Sequence, residues 1–503
     1  MVRPASLTVV EGSGVRRRFD AVSWLTIYLV VLYAVPSRLV IGPLGSAGAP
    51  SMLLGLGSFG IWLLAHIGTA RRTRMHPEPV RISLAIFMIF VGISYALAMS
   101  RPISRDEVSP ADVALLSLLS WSGALLVTHD GIPTRSRMET LAWRLAAGGG
   151  LLAALGAVQF VTKRALVDQV SIPGLTAVAS IAAYTRDGRI RPSGTAIHPL
   201  EYGTILAILL PIALHVAFHH RSKAAFLRWL PALAIGGVIA ISSSRAAYMS
   251  AALAVLVCAI GWSRRQRLVV LGLGAAGTVG LAALAPNLVQ SVLNLFAGAE
   301  KDPSIASRTD SFSVASSFLV QHPFFGRGLG TFLPKYRIFD NQYLLLLVTV
   351  GLLGTLAFVG ILIAALARLI SGFLATKDPT SRDLTVSVAG SLVSGFVSLA
   401  FFDAFAFPMT MGTIFLCLGL AGAAARLATG RESRARAASE RRKVDTSSSD
   451  AAYTPASLAQ QPRRARTLAH AAGTDQVADR GPTRRLPHGR AACLPEDDSQ
   501  PEQ

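Results

Sequence analysis

The sequence predicts an all-α fold, a polytopic transmembrane helix bundle of about twelve spans with two long outward loops containing short helices. Three observations carry this. The chain of 503 residues is 52% hydrophobic and only 15% charged, whereas a soluble chain carries about a quarter charged residues. Its apolar residues are gathered into uncharged runs long enough to cross ~30 Å of hydrocarbon. Lysine and arginine are rich in every second inter-run loop and sparse in the short loops between them. Backbone groups in lipid must be satisfied within their own segment, so each run is expected to be a helix.

In chain order the expected spans are 21–42, 51–69, 82–99, 112–128, 145–161, 200–218, 227–242, 246–262, 268–285, 342–369, 386–402 and 405–427. The first is too long for the apolar region of a signal peptide and lacks a small-residue cleavage pattern. The tenth is long enough to tilt or protrude. The basic loops hold Arg16, Arg17 and Arg18; Arg71, Arg72 and Arg74; Arg135 and Arg137; Arg221 and Lys223; Arg264, Arg265 and Arg267; and Lys377 and Arg382. The short alternate loops are nearly bare, with Arg101 and Arg105 beside Asp106 and Glu107 as the interruption. The positive-inside rule then places both termini in the cytoplasm, and an even number of spans agrees with it. The organisation expected is a cytoplasmic segment 1–20, a membrane domain 21–427 with outer loops 162–199 and 286–341, and a tail 428–503. That tail has few large apolar residues and is expected to be disordered and basic, with 431–443 close to anionic lipid headgroups.

The net charge of +20 sits largely in the loops and the tail, so it reads as orientation and lipid contact, not nucleic-acid binding. Cys258 and Cys417 fall in apolar helices and Cys493 in the tail, a spacing that suggests neither a disulfide framework nor a metal site. No metal cluster is visible. Gly272, Gly274 and Gly277 fit helix–helix packing.

Three polar clusters fall on the outer face. The first, Arg189-Ile-Arg191-Pro-Ser-Gly194-Thr195-Ala-Ile-His198-Pro-Leu-Glu201, leads into the sixth span. The second is the turn Ser242-Ser243-Ser244-Arg245. The third runs from Arg308 through His322-Pro323-Phe-Phe-Gly326-Arg327-Gly328-Leu-Gly330 to Arg337 and Asp340-Asn341-Gln342. Plain structural roles are open to each. Arg245 can snorkel to the interface, Asp340 can cap the tenth span, and His198 and Glu201 can be ordinary interfacial groups. The glycines 326–330 follow no strand, which excludes a dinucleotide loop. The segment 311–320 suits an amphipathic helix on the surface.

Asp340-Asn341 is followed by Gly351 and Gly354. With the preceding His-Pro-Phe-Phe-Gly-Arg-Gly-Leu-Gly segment, the Arg191–Gly194 stretch and the Ser-Ser-Arg turn, this resembles the O-antigen ligase/polymerase family of bacterial membrane glycosyltransferases, over about 150–419. The resemblance implies an enzyme that moves a glycan from a polyprenyl diphosphate carrier to an acceptor hydroxyl on the outer face of the bacterial plasma membrane, without nucleotide sugar, metal or other cofactor. Arg191 and Arg245 would hold the diphosphate, since guanidinium forks pair well with phosphate oxygens. Asp340 would orient or deprotonate the acceptor. Asn341, Arg327, Arg337, His198 and Glu201 are further substrate contacts it suggests. Ligases of the family carry a histidine where this chain has Asp340, which tilts the expectation to a polysaccharide polymerase for capsule, exopolysaccharide or cell-wall glycan. A ligase acting on a lipid or protein acceptor is the nearest alternative, and a lipid-linked glycan transporter without chemistry the alternative of another class. Lipid-linked oligosaccharide and membrane lipids are the expected partners, with a flippase and a chain-length regulator as candidate partner proteins.

Overall fold

The computed structural model describes residues 19–69, 77–178, 185–186, 189–297 and 303–430. The arginines at 16–18 and 71–74, and the tail expectation from residue 431 onward, lie outside the described residues. Fourteen α-helices occur among the described residues, and twelve of them fall at the twelve expected spans, although the first helix stops at Ala34, eight residues short of the expected end, where Val35 turns extended and Leu39–Val40 forms a strand. These are α1 (Ala21–Ala34), α2 (Pro50–Thr69), α3 (Pro79–Met99), α4 (Arg105–Gly131), α5 (Arg135–Thr162), α6 (Pro199–His219), α7 (Ala225–Ile241), α8 (Arg245–Gly261) and α9 (Arg264–Leu284). Then come α10 (Pro286–Ala297) and α11 (Pro303–Gln321), both in the second long loop, followed by α12 (Gln342–Ala375), α13 (Pro379–Ser398) and α14 (Pro408–Ala428). Eight are long and apolar enough to cross a bilayer on length and composition alone, while α1, α7 and α8 are apolar but shorter. The chain is a multi-pass membrane protein.

α6 and α14 form the centre. Nearly every side chain from Pro199 to Ala217 and from Met409 to Ala425 is buried, because α4, α5, α8, α12 and α13 pack around this pair. α13 is more polar than its neighbours, with buried Ser387, Ser391, Ser394 and Ser398. It is enclosed by α6, α8 and α14, so lipid does not select against those hydroxyls. Sequence hydropathy therefore starts this span late, at 386, whereas the helix begins at Pro379.

α9 lies at the other extreme, with none of its residues buried. Gly272, Gly274 and Gly277 have open space where a Cβ would stand. Packing within the chain therefore does not account for these glycines, which corrects the expectation from sequence. Cys258 and Cys417 are buried in α8 and α14 as free thiols.

The first long loop holds a 3-10 turn, Leu166–Gln169, and short strands among its described residues, and no α-helix there. Leu39–Val40 pairs antiparallel with Thr176–Ala177, in the register Leu39 to Ala177 and Val40 to Thr176. Arg38 fastens the same loop by donating from Nη2 to the carbonyls of Val167 and Asp168 at 3.0 and 2.8 Å. In the second loop, α11 lies on the start of α12, where Ala315, Phe332, Phe339, Leu344 and Val348 form a small apolar cluster. The helix expected over 311–320 is thus present, with Val314, Ala315 and Phe318 turned to protein while Phe312 and Val320 are exposed.

Candidate active site

α12 is not one continuous helix. Gly351 has φ 69° and ψ −172°, which interrupts the hydrogen-bond ladder inside the span. Freed backbone groups in a membrane must find partners in neighbouring protein. Here the segment 322–328 supplies them. Arg327 and Gly328 donate their N–H groups to Val348 and Thr349 at 2.9 and 2.8 Å, and Leu352 donates to Pro323 at 2.9 Å. Ser94 adds its hydroxyl to the Thr349 carbonyl. The two backbones approach so closely that a Cβ on Gly326 would stand 2.4 Å from Thr349, and one on Gly351 would stand 2.4 Å from Phe324. The His-Pro-Phe-Phe-Gly-Arg-Gly segment and the Gly351 break are two halves of one device, which explains why they occur together in the sequence.

The first turn of α12 is set by Asn341, whose Oδ1 accepts from Tyr343 and Leu344 N–H at 3.0 and 3.3 Å. Asn341 is therefore the cap, a role the sequence offered to Asp340. Asp340 instead occupies the left-handed region, φ 50°, a conformation that Asp and Asn tolerate better than most residues. Asp403, in the α13–α14 connection, accepts from Asn341 N–H at 3.3 Å, with the backbone of Asp340 and Phe339 also directed to its carboxylate. Burial, and then the negative charge of Asp340, push Asp403 up to about 6. Two carboxyl groups thus sit together at the head of α12.

Asp403 also lines a cavity of about 520 Å³ at this end of the bundle. The walls come from the N-terminal ends of α2, α4, α12 and α14, the end of α1, and the segment 329–337. Arg337, Gln342, Thr349 and several serine hydroxyls share the lining with Tyr28, Trp121, Phe332 and Phe405. Arg337 is anchored through Nε to Ser311 at 3.1 Å. Gln342 is fully buried and accepts from Phe405 N–H at 2.8 Å, while its Nε2 has no hydrogen-bond partner. A wall that mixes aromatic faces, hydroxyls, one guanidinium and one carboxylate is chemically suited to a sugar with an anionic group.

The segment leading into α6 reaches this cavity through Ile197. His198 caps α6 by accepting Leu200 N–H on Nδ1 at 3.1 Å. Burial and the nearby Arg191 push its imidazole down to about 4, so the ring is neutral and Nδ1 is available to accept. Arg245 opens α8 directly after its cap Ser244, which follows Ser243 at φ 49°. α8 begins against the first turn of α6, where Gly203 faces Ala247 and Ser244. Arg191, His198 and Arg245 are all half-buried. The connection from this group to the cavity is short, since Ile197 and Pro408 belong to its lining.

Two expected contacts are committed elsewhere. Glu201 is fully buried, and its carboxylate accepts from Ile197, Met409 and Thr410 N–H at 2.9, 3.0 and 3.3 Å. It caps α6 and α14 at once and ties the central pair together, a structural duty in place of the expected substrate contact. Arg327 donates from Nη2 to Glu107 at 2.7 Å, and Glu107 also accepts the Tyr336 hydroxyl at 2.6 Å. The side chain of Arg308 lies outside the described residues. The sequence reading missed Asp403, Gln342 and Glu107. Asp403 alone had a local signal, an isolated acid in a short apolar turn.

Residues 230–359 match the family model described as O-Antigen ligase. That stretch carries Arg245, Arg327, Arg337, Asp340, Asn341 and the Gly351 break. Comparison with curated proteins gives no match. Among solved structures, a chain from "Structural coordination of polymerization and crosslinking by a peptidoglycan synthase complex" is 18% identical, over 69% of this chain and 95% of that one. It superposes loosely, with a TM-score of 0.36.

Proposed function

We propose that this O-antigen ligase-like chain, a membrane glycan-processing enzyme, transfers glycans from a polyprenyl diphosphate carrier to an acceptor sugar hydroxyl at the outer face, as a polymerase of lipid-linked repeat units. One observation carries the reading. Arg337 lines the cavity, the Asp340–Asn341 turn is held by its Asp403, and Arg191 and Arg245 belong to the loop before α6 and the start of α8, whose neighbour Ile197 is part of its wall.

The acceptor hydroxyl attacks the anomeric carbon of the donor, and the bond from that carbon to the diphosphate oxygen breaks. The hydroxyl proton passes to Asp340. Charge gathering on the departing diphosphate is taken up by Arg191, in the loop before α6, and Arg245, the first residue of α8. Arg337 and Asn341 contact the sugar–phosphate from the α12 side. Asp403 holds the 339–341 turn, which places Asp340 and raises the local negative charge the proton neutralises. Glu201 and Arg327 act through the scaffold.

The test is reaction of the purified protein with polyprenyl-diphosphate oligosaccharide, followed by mass spectrometry. Carrier-linked products in whole repeat steps support a polymerase. Product formed only when a lipid or protein acceptor is added makes the chain a ligase. Binding of donor with no product under either condition supports a transporter and removes Asp340 as a base. Arg191→Ala and Arg245→Ala are each expected to abolish transfer at normal membrane abundance.

A further inference from the structure

At the end of the bundle opposite the cavity, α5, α6 and α13 bring together Glu139, His215, His219, His220 and Asp383. Only His215 and His219 stand at a metal-ligand spacing in the sequence, four residues apart on one helix; the carboxylates that meet them come from distant parts of the chain. We propose that His215 Nδ1, His219 Nδ1 and the Asp383 carboxylate bind one divalent transition-metal ion, with zinc the ion that their donor set fits best.

The argument begins with His215, which is fully buried. Its Nδ1 lies 2.6 Å from Asp383 Oδ2 and its Nε2 lies 3.0 Å from Glu139 Oε2. Ionised carboxylates only accept, so without a metal the ring must carry a proton on both nitrogens. One positive charge then faces two negative ones. A divalent cation on Nδ1 balances the two carboxylates and returns His215 to the neutral ring.

The outer contacts for such an ion are already in place. His215 Nε2–H donates to Glu139, the carboxylate–histidine–metal arrangement that fixes tautomer and orientation. Gln266 Nε2 donates to Asp383 Oδ1 at 3.3 Å and leaves Oδ2 for the ion. His219 brings the third donor: its Nδ1 is buried and stands 3.1 Å from the same Asp383 Oδ2 that faces His215 Nδ1.

Geometry also fits. His215 and His219 are four residues apart, so they share one helix face, and their rings stack 5.1 Å apart. The three ligand atoms lie within 4.8 Å of one another. Tetrahedral zinc with ~2.0–2.1 Å bonds separates its ligands by about 3.4 Å, which asks for shifts of about an ångström. Imidazole and carboxylate donors suit zinc, and water completes the coordination. The neighbouring group of Glu139, His215 and His220 is also close. There, however, Glu139 Oε2 already accepts from both rings, at 3.0 and 2.9 Å, so that group is satisfied without an ion. The metal would clamp the end of α6 to the start of α13.

The experiment uses the full chain in detergent, freed of any affinity tag and stripped by chelator. Zinc is titrated in competition with a chromophoric chelator, with thermal melts in parallel. The expected result is one zinc per chain and a raised melting temperature. His219→Gln should weaken binding by more than about 100-fold and Glu139→Gln, which alters an outer contact, by about 10–100-fold. His219 is the most exposed ligand, so its variant keeps the site testable where Asp383→Asn fails to fold. Less than one zinc per chain with an unchanged melt overturns the proposal. So does full zinc binding in His219→Gln combined with loss in His220→Ala.

Discussion

Gly351→Ala tests the interrupted α12 most directly. The φ of 69° with ψ of −172° belongs to a region that is essentially glycine-only, at a cost of about 1–3 kcal/mol for another residue. The new Cβ would stand 2.4 Å from both C and O of Phe324 and 2.6 Å from Phe325 N. These are backbone atoms held by hydrogen bonds from Leu352 and Leu353, so they cannot turn aside as a side chain would. Overpacking of this kind costs about 1–3 kcal/mol, which brings the loss to about 2–6 kcal/mol. Against a typical stability of ~5–15 kcal/mol this is a large fraction. The measurement is thermal unfolding of the purified protein in detergent. Gly360→Ala is the control, since it lies in the same helix with nothing within 4 Å of the new Cβ. It should be neutral or gain up to about 1 kcal/mol. If Gly351→Ala melts like the wild type, or if both variants lose equally, the paired-segment account is wrong. Because Thr349 lines the cavity, surviving Gly351→Ala protein should also lose transfer activity.

Three further outcomes follow from the site. Asp403 keeps its proton up to about 6 in the folded chain, against 3.8 for an ordinary Asp. The folded state therefore binds more protons between those values, and stability is full below pH ~4 and declines as pH rises through ~6. Asp403→Asn should flatten that decline in the melting temperature, and an unchanged slope would count against burial beside Asp340. Arg327→Ala strands the buried Glu107 and should cost about 3–5 kcal/mol; adding Glu107→Gln should recover part of it, and no recovery would dismiss the ion pair as the cause. Glu201→Ala leaves three N–H groups of two helix ends unsatisfied, at about 1–3 kcal/mol each. Its melt should fall below that of Glu201→Gln, which keeps an acceptor oxygen, and equal melts would refute the double-cap role.

The positions of the twelve helices were legible in the sequence, because the bilayer imposes a local rule. Each stretch must satisfy its backbone internally and present apolar side chains, and both properties are written in consecutive residues. Gly351 and the 322–330 segment stood out through their resemblance to the O-antigen ligase/polymerase family, not through this rule. The rule itself placed Arg191, Arg245, Arg337 and Asp340 at one end of the bundle, since alternation of spans carries that information. What it left to the tertiary structure were partners far apart in the chain. Asp403 meets the Asp340 turn across a full helical hairpin, and Glu201 reaches from α6 to the start of α14. Arg327 is drawn to Glu107, and the histidines of α6 meet carboxylates from α5 and α13. A polar residue inside a membrane protein must be paired, but its own sequence neighbourhood does not name the partner. Only the packing of one helix against another decides whether a charged side chain is left to face the cavity or is spent on holding the helices together.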